Sequence, residues 1–594
     1  MSLPSSVADR LERLAPDQRA AATAPPGPVL CVAPAGSGKT TTLVARVAWL
    51  VATGVDPATI CAITFNRRAA EELGSRLGEA LAPLGLAPGA VRVRTFHALG
   101  REILRSAGAP VDPLVDRMRL LREIAPDAGP AGWRRLDDAI SCLKLDLGVT
   151  ADEVAADPDA GPVARAFVAY ERAVASTGGL DFDDLVARSL ELLERDRSLL
   201  ERWRQACAHL LVDEVQDVDR SQLRLALWLA APANRVFLVG DDDQSIYGWR
   251  LADVRRVLAL AEELPGLRRV DLTTNYRCPG PVVERAVRLV AHNRERFTKR
   301  ITARPGAAGR LVLAPDPSDE VVRVRRVIDA WPADGSTRAV LARTNRELVP
   351  AIAVALELGL PFRAPGIPLV IESPDLVRLL ELAGETPGGW PLLARLGAIV
   401  ARVRAAADGA AGRGAAGEAG EPHEPAGAPG DPAEPPGPLE PPGPPEPEPA
   451  PFTPAEVAAA LLAWAPPYPT LAALASAVRE RRSRLATLRR DDAPLTFATA
   501  HATKGLEFDH VAVIGMEAGR FPSARALREA TDPGRALEEE RRLAYVAWTR
   551  ARRSLTLVYD PAASSPFLRE AFSPAELGIP SQAGGLVDGA PSRP

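Results

Sequence analysis

The chain has 594 residues and a formal net charge of −4, and 46% of its residues are hydrophobic, so it can form several domains with buried cores. No apolar run of about 18 residues suggests a membrane span, and the N-terminal stretch lacks the basic start and apolar core of a secretory signal. Five Cys without C-x-x-C spacing argue against a disulfide framework or a zinc site, and we expect a cytoplasmic protein without membrane contact.

Short apolar strands alternate with helical stretches in the first half of the chain, a pattern typical of a parallel sheet covered by helices. The stretch from residue 98 to about 206 lacks such strands and is predicted to be helical. A second set of strands follows. The sequence therefore predicts an α/β fold with two sheet domains and a helical insertion in each. The predicted strands are 29–32, 60–65, 91–96, 210–213 and 236–240 in the first set, and 311–314, 339–343, 495–498, 511–514 and 555–558 in the second.

A segment poor in apolar residues, 405–451, interrupts the second set of strands. It is Ala/Gly-rich at its start and Pro/Glu-rich at its end, so we expect a disordered or polyproline-like tether, with a docking site for a partner protein as the alternative. Residues 418–448 carry eight acids and no Lys or Arg. Removing those eight charges from the net charge of −4 leaves the rest of the chain mildly basic, at +4.

The stretch APAGSGKT (33–40) follows the apolar run PVLCV and is predicted to cradle phosphate groups. It differs from the pattern G-x-x-x-x-G-K-[ST] only at Ala33, which replaces Gly. Gly36 and Gly38 allow backbone N–H groups to turn toward an anion, and the following helix points its positive end at the same charge. Lys39 can reach the outer phosphates, and the Thr40 hydroxyl can bind Mg²⁺.

Lysine usage supports this interpretation of the loop. Of the 72 basic residues, 68 are Arg and only four are Lys, which suggests that Lys is retained where a compact ammonium is needed. Lys39 is one of the four and Lys504 is another, discussed below. Lys144 and Lys299 lie outside any motif, and we predict that both are surface residues.

The predicted strand HLLVDEVQD (209–217) ends in adjacent acids. Beside a phosphate loop, Asp213 would hold Mg²⁺ through water and Glu214 would orient or deprotonate the attacking water.

Taken in chain order, nine motifs resemble those of superfamily 1A DNA helicases of the UvrD/Rep/PcrA group. The resemblance runs almost from end to end of the chain. The motifs are LAPDQRAA (14–21), APAGSGKT (33–40), AITFNRRAAEEL (62–73), VRTFHALG (93–100), LLVDEVQD (210–217), VGDDDQSIYGWR (239–250), LTTNYRCP (272–279), TAHATKGLEFDHV (499–511) and EEERRLAYVAWTRAR (538–552).

The resemblance implies two RecA-like domains, named 1A and 2A in the family, with ATP and Mg²⁺ bound between them. Domain 1A would comprise 1–97 and 207–275, interrupted by a helical 1B insertion at 98–206. Domain 2A would comprise 276–372 and 491–562, interrupted by a shortened 2B region at 373–490 that includes the tether. A C-terminal tail, 563–594, would follow.

The resemblance also implies the residues of the nucleotide site. Gln18 would read the adenine edge, Tyr276 would stack on adenine, and Glu507 would contact the ribose. Gln244 would sense the terminal phosphate, and Arg277 and Arg550 would both reach it. The loop itself would supply Ala33, Pro34, Ala35, Gly36, Ser37, Gly38, Lys39, Thr40 and Thr41.

DNA contacts are implied in the same way, because aromatic rings stack on any base and basic groups bind phosphates. His501 and Lys504 would link the DNA to the nucleotide cleft. We expect Trp249, in the polar stretch SIYGWR, to be exposed rather than part of the core. The full set is Phe65, Arg68, Thr95, Phe96, His97, Tyr247, Trp249, Arg250, His501 and Lys504.

The sequence differs from the family pattern in three places. The 2B region is short and has no helix-hairpin-helix signature, little length is left for a β-hairpin pin after the last motif, and Arg67 stands where the family usually has Asn. The leading hypothesis is an ATP-dependent 3′–5′ DNA helicase acting on single strands and single-strand/duplex junctions in repair or replication restart. The alternatives are a translocase that strips proteins without unwinding duplex, and a non-motor DNA-binding protein that uses ATP as a switch.

Overall fold

The computed structural model describes residues 3–157, 159–385, 390–413 and 452–578. The described residues form two compact units. One contains those of 1–351 and 498–594, and the other contains those of 352–497.

The first sheet of the larger unit has six parallel strands in the order β3-β2-β4-β5-β1-β6. Strands β1, β2 and β5 are buried along their whole length, as expected for central strands covered by helices on both faces. The five predicted strands are confirmed, and β6 was missed because its sequence, RRVD, is mostly polar. The strands are β1 (Val29–Val32), β2 (Ile60–Thr64), β3 (Arg92–Thr95), β4 (His209–Val212), β5 (Val236–Gly240) and β6 (Arg268–Asp271).

Helices flank this sheet and alternate with its strands. The helix after β1 begins at Lys39, so its N-terminus directly follows the predicted phosphate loop. The flanking helices are α1 (Ser5–Glu12), α2 (Pro16–Ala22), α3 (Lys39–Ala52), α4 (Arg67–Leu81), α12 (Arg220–Ala230), α13 (Val254–Leu258) and α14 (Leu260–Glu263).

The stretch between β3 and β4 is helical, as predicted, apart from one isolated bridge between Leu114 and Leu180. Leu120, Leu121, Ile140, Phe167, Tyr170 and Val174 form a small core of its own. The helices are α5 (Phe96–Ser106), α6 (Arg117–Ile124), α7 (Gly129–Ser141), α8 (Ala151–Ala155), α9 (Pro162–Thr177), α10 (Asp184–Arg195) and α11 (Arg197–Ala206).

The larger unit also contains four parallel strands of a second sheet, in the order β10-β13-β14-β9, and a two-stranded parallel sheet of β7 and β8. The helices around them bury a core that includes Trp548, Tyr545 and Phe521. The strands are β7 (Thr274–Asn275), β8 (Thr302–Ala303), β9 (Arg310–Pro315), β10 (Arg338–Ala342), β13 (Phe508–Val513) and β14 (Ala551–Tyr559). The helices are α15 (Gly280–Val290), α16 (Glu320–Ala330), α17 (Asn345–Leu358), α22 (Ala524–Glu529), α23 (Pro533–Trp548) and α24 (Pro566–Ala571), of which α17 passes into the smaller unit at Ile352.

The smaller unit keeps a helical core of its own, in which Leu379, Leu396, Leu461 and Leu474 are buried together. A short strand pair accompanies it, with Phe362 opposite Leu495. The elements are β11 (Phe362–Arg363), α18 (Pro374–Glu385), α19 (Leu392–Arg413), α20 (Pro454–Trp464), α21 (Leu471–Leu488) and β12 (Leu495–Thr499), whose last two residues belong to the larger unit.

The predicted start of the tether needs correction. Helix α19 continues to Arg413, so residues 405–413 are helical because their Ala-rich sequence favours continuation of the helix. The rest of the tether, 414–451, lies outside the described residues. Among the helices of the described ranges, none is both long and apolar enough to cross a membrane.

Candidate nucleotide and DNA site

The loop between β1 and α3 has the backbone of a phosphate cradle. Gly36 and Gly38 have φ of +67° and +85°, a region that side chains rarely adopt. A Cβ on Gly36 would lie 2.7 Å from the Cβ of Arg277, and a Cβ on Gly38 would lie 2.5 Å from Gln18 Nε2. Both positions therefore favour glycine for conformation, and Gly36 also favours it for space, whereas a side chain at position 38 would displace the Gln18 amide.

Neighbouring strands hold this loop in place. Ala33 donates its N–H to Gly240 O at 2.7 Å, and Ala35 donates its N–H to Asp241 Oδ2 at 3.0 Å. Ser37 donates its N–H to Pro34 O at 3.0 Å, while its buried hydroxyl has no partner. An unpartnered buried hydroxyl at the mouth of a helix suits an anion that can accept from it.

Lys39 pairs with Glu214 across the site, at 3.0 Å from Nζ to the carboxylate. Burial alone would lower the pKa of Lys39, but Glu214, Asp241 and Asp213 more than offset it, and the pKa is raised. Lys39 is therefore a cation that can exchange a carboxylate for a phosphate.

The pKa values of the two acids at the end of β4 are shifted in opposite directions. Burial and the neighbouring charge of Glu214 raise the pKa of Asp213 to about 7. Burial would also raise the pKa of Glu214, but Lys39 and then Lys504 lower it to about 2. Glu214 has a φ of +52°, which is strained for a non-glycine residue and aims its side chain at Lys39.

The donor set fits Mg²⁺ that arrives with phosphates. Thr40 is the second residue of α3, and Asp213 directly follows β4. Within the described ranges, no cluster of three or more His, Cys, Asp or Glu could hold a metal through protein ligands alone. One hydroxyl and one carboxylate beside a phosphate loop match the way Mg²⁺ binds with nucleotides.

Two arginines, Arg550 and Arg277, lie on the side of the site that faces the second sheet. Arg550 is buried and donates from Nη2 to Gln244 Oε1 at 3.2 Å. Burial and the like charge of Arg277 lower the pKa of Arg550 to about 9, so an added anion would be strongly favoured there. Arg277 donates from Nε to Glu507 Oε2 at 2.7 Å.

Asn275 connects the phosphate loop to Arg277. Its amide donates to Ala35 O at 2.7 Å, and its side-chain oxygen accepts the N–H groups of Arg277 and Cys278 at 2.9 and 2.8 Å. Every polar atom of this buried side chain except one amide hydrogen is thereby used.

The residues predicted to read adenine lie next to the loop. Gln18 donates from Nε2 to Ser37 O at 2.8 Å and accepts the N–H of Ala15 at 3.1 Å. Tyr276 is partly exposed and donates its N–H to Gly36 O at 2.8 Å. Thr41 is exposed on the first turn of α3.

Lys504 contacts one acidic side chain, one backbone carbonyl and one aromatic ring. Its ammonium pairs with Asp217, donates to Gln244 O at 2.7 Å and lies 5.0 Å from the centre of the Tyr247 ring. His501, three residues earlier, has its pKa lowered to about 4 by burial and by the charges of Arg343 and Lys504. It is therefore neutral at pH 7.

An aromatic platform lies beside Lys504. Phe65 and Tyr247 stack at 5.2 Å, and Trp249 meets Tyr247 edge-on at 6.1 Å. The Arg250 guanidinium lies 4.6 Å from the Trp249 ring centre. Trp249 is 57% exposed, which confirms that it is not a core residue, and Arg68 is exposed on α4.

The three predicted DNA-facing residues at the start of α5 separate in the structure. The Thr95 hydroxyl caps α5 by accepting the Ala98 N–H at 3.2 Å. His97 stacks on Phe182 at 3.9 Å. Phe96 is only 2% exposed and packs in the core below the first sheet, so its prediction as a DNA contact is corrected: the helix directs its ring inward.

Two family models and several relatives match the chain. Residues 14–265 match the model of the UvrD/REP helicase N-terminal domain, and residues 480–561 match that of the UvrD-like helicase C-terminal domain. The chain is 32% identical over 655 residues to ATP-dependent DNA helicase UvrD1 of Mycobacterium tuberculosis, covering 93% of this chain and 83% of the relative.

The chain belongs to the UvrD/Rep/PcrA family of DNA helicases. It is also 29% identical over 625 residues to DNA helicase II of Escherichia coli, covering 92% of this chain and 84% of the relative. With ATP-dependent DNA helicase Rep of Escherichia coli it shares 30% identity over 390 residues, covering 62% of this chain and 57% of the relative.

Within this helicase family fold, sequence reasoning misplaced two lysines. Lys144 and Lys299 were predicted on the surface, and both are buried. Lys144 lies 2.8–2.9 Å from the carboxylates of Glu171, Asp181 and Asp184. Lys299 lies among Asp241, Asp242 and Asp243. The scarcity of Lys was the available signal, and it applied to all four lysines.

Sequence reasoning also missed Phe182. Its ring is 55% exposed although it stacks on His97, and it lies between the buried acids Asp181 and Asp183. A large exposed aromatic held by a neighbouring ring is a ready platform for a base. The sequence LDFDDL carries the signal, because an apolar residue between paired acids has few ways to be buried.

Proposed function

We propose that this chain is an ATP-dependent motor that moves 3′ to 5′ along single-stranded DNA and separates duplex at single-strand/duplex junctions, in DNA repair or replication restart. In this proposal 1–97 with 207–275, and 276–372 with 491–562, are the two RecA-like domains. Residues 98–206 and 373–490 are their insertions, and 563–594 is a tail. The polarity rests on the family resemblance alone.

Lys504 is the observation that carries the proposal. One ammonium contacts Asp217, which follows the acids of β4, the backbone of the phosphate sensor Gln244, and the Tyr247 ring of the aromatic platform. A shift of Tyr247 caused by a bound base therefore changes the surroundings of Gln244 and Asp217. This is a direct physical route from DNA to ATP hydrolysis.

In the nucleotide site, Lys39 would leave Glu214 for the outer phosphates, which frees the Glu214 carboxylate to orient and deprotonate water. Arg550 and Arg277 would then stabilise the charge that spreads over the terminal phosphate, an effect worth roughly 10³–10⁵ in rate where such arginines have been tested. Mg²⁺ would neutralise the phosphates when bound through Thr40 and Asp213. Gln18, Tyr276 and Glu507 would hold the nucleoside.

Along the DNA, Phe65, Tyr247, Trp249 and Phe182 would stack bases while Arg68, Arg250 and Lys504 balance phosphate charge. His97 and His501 are neutral at pH 7 and would contribute ring contacts and hydrogen bonds rather than charge. Phe96 is left out of this set because it is buried.

A second candidate is a translocase that strips proteins from single strands without unwinding duplex. One observation favours it: in residues 560–578, the described part of the chain after β14, no further strand occurs, so this range holds no hairpin that could split a duplex. A non-motor switch is disfavoured because Glu214 pairs with Lys39 of the loop and Arg550 donates to Gln244, and with Arg277 these residues would supply the groups that hydrolysis needs.

The test is ATP-dependent strand displacement by the purified full chain, on a duplex with either a 3′ or a 5′ single-stranded tail. Displacement only from the 3′-tailed substrate supports the proposed helicase and its polarity. ATP consumption on single strands without displacement supports the translocase. DNA binding that depends on ATP without its turnover would overturn both and support the switch.

A further inference from the structure

Lys299 is a fully buried charge beside the nucleotide site. Its side chain is fully buried, and so are the carboxylates of Asp241, Asp242 and Asp243 around it. Its ammonium lies 2.9 Å from Asp241 Oδ1 and 3.0 Å from Asp243 Oδ2, and it also pairs with Asp242. A lone ammonium would not be buried this way without such partners.

Asp241 joins three parts of the site through one carboxylate. Its Oδ2 accepts the N–H of Ala35 in the phosphate loop at 3.0 Å and the Nε2 amide of Gln244 at 2.8 Å. Its Oδ1 accepts from Lys299 at 2.9 Å. The orientation of this one carboxylate therefore sets the position of both the loop and the phosphate sensor.

The geometry favours Lys over Arg at this position. Three carboxylates surround one point, and an ammonium has three donors that can each face a different carboxylate. A guanidinium is a planar fork suited to one carboxylate at a time. In a chain with 68 Arg and four Lys, this position has kept Lys.

The segment that carries Lys299 is tied to helix α23. Asn293 donates from Nδ2 to Glu538 O at 3.0 Å, and Arg294 donates its N–H to Glu538 Oε1 at 2.9 Å. Arg296 then forms two hydrogen bonds, of 2.9 and 2.8 Å, to Asp243. Because α23 ends two residues before Arg550, the segment links that helix to the aspartates.

We propose that Lys299 is a positioning residue that fixes the orientation of the Asp241 carboxylate. Through Asp241 it would hold the phosphate loop and Gln244 in a constant position relative to α23. The inference rests on the proposed function, since Gln244 is assigned there as the sensor of the terminal phosphate. The fully buried Lys299 ammonium is surrounded by the three aspartates, so it would not contact the nucleotide directly. It acts by fixing the groups that do.

The experiment compares steady-state ATP turnover, with and without single-stranded DNA, and melting temperature among full-length variants. Lys299→Met removes the ammonium, and Lys299→Arg keeps the charge but changes its shape. The double variant Lys299→Met with Asp242→Asn removes one charge of each sign. It therefore controls for unfolding caused by an unpaired buried charge. Lys144→Met is the matched control, because Lys144 is also buried among three carboxylates, but those carboxylates belong to Glu171, Asp181 and Asp184 in the helical stretch and not to residues bonded to the loop.

We expect kcat to fall by about 10- to 100-fold in all three Lys299 variants, the cost typical of small misplacements in an active site. Lys299→Arg should therefore not retain the wild-type kcat. The DNA-free ATP turnover of Lys144→Met should stay near the wild-type value even if that variant has a lower melting temperature. Wild-type kcat in Lys299→Arg or in the double variant would overturn the inference, because the lysine would then only balance charge. An inactive wild-type chain would instead refute the proposed function.

Discussion

The Gly248 N–H donates to Glu539 Oε1 at 3.0 Å, directly beside Trp249. Glu539 lies on α23, the helix that leads to Arg550. A Cβ at Gly248 would lie 2.7 Å from Glu539 Oε2, so a side chain there would displace the Glu539 carboxylate from this contact. The turn that carries Trp249 and the residue Arg550 are therefore both connected to α23.

Removing this contact should weaken the response to DNA. In Glu539→Ala, the turn that carries Trp249 loses its link to α23, and we expect the ratio of DNA-stimulated to DNA-free ATP turnover to fall about 3- to 10-fold, the effect of one coupling contact. Steady-state turnover over a range of single-strand concentrations measures this. Glu529→Ala, an exposed glutamate paired with Arg525, is the control and should keep the wild-type ratio. An unchanged ratio in Glu539→Ala would show that the contact is incidental.

Lys39→Ala should abolish ATP turnover and leave the fold intact. The ammonium is the cation aimed across the loop, and its loss should reduce kcat by about 10²–10³ or more, as for other removed electrostatic contacts. Turnover and circular dichroism on the same preparation separate catalysis from folding. Lys39→Arg should be inactive as well, because a planar fork does not fit the loop. DNA-stimulated hydrolysis in Lys39→Ala would refute the phosphate-loop assignment.

Trp249→Ala should weaken binding of single strands. Stacking on an aromatic ring is worth about 1–3 kcal/mol per base, so Kd should rise between about 5- and 150-fold. Fluorescence anisotropy with a labelled oligonucleotide measures it. Trp390 is as exposed as Trp249 but lies in the smaller unit, and Trp390→Ala is the matched control with an expected wild-type Kd. Equal Kd values for wild type and Trp249→Ala would mean that the ring is not part of the DNA track.

Stability should depend on pH through His97. Burial and the charge of Arg250 lower its pKa to about 4 from its ordinary value near 6.5. Between these values the unfolded chain binds more protons than the folded chain, so this contribution to stability is lost as pH falls from about 6.5 to 4. We expect His97→Gln to flatten the change of melting temperature with pH in that window. Parallel pH profiles for the two proteins would contradict the assigned burial.

Local sequence predicted the features that depend on local chemistry. The strand cores are apolar and β-branched, and the loop glycines sit where positive φ is required, so both were found. Strand β6 was not predicted because its residues are mostly polar. The end of helix α19 was assigned to the tether because an Ala-rich sequence is compatible with helix or coil.

Long-range partners could not be predicted in the same way. Lys299 pairs with carboxylates that lie more than 50 residues away along the chain, and no local sequence pattern predicts this contact. Phe96 and His97 are adjacent in sequence and face opposite environments, because the rotation of α5 decides which ring meets the core. Family resemblance placed both in one motif without resolving that difference.

Asn275 has a consequence for the order of events after hydrolysis. It fastens the backbone of Arg277 to the phosphate loop, while the Arg277 guanidinium donates to Glu507 Oε2 at 2.7 Å and to Thr549 O at 3.3 Å. Arg550 directly follows Thr549, so Arg277 joins the loop to the segment that carries the other arginine. If that segment moves away from the loop after hydrolysis, these contacts must break as well, so release of the spent nucleotide would become a separate step that can set the pace of the cycle.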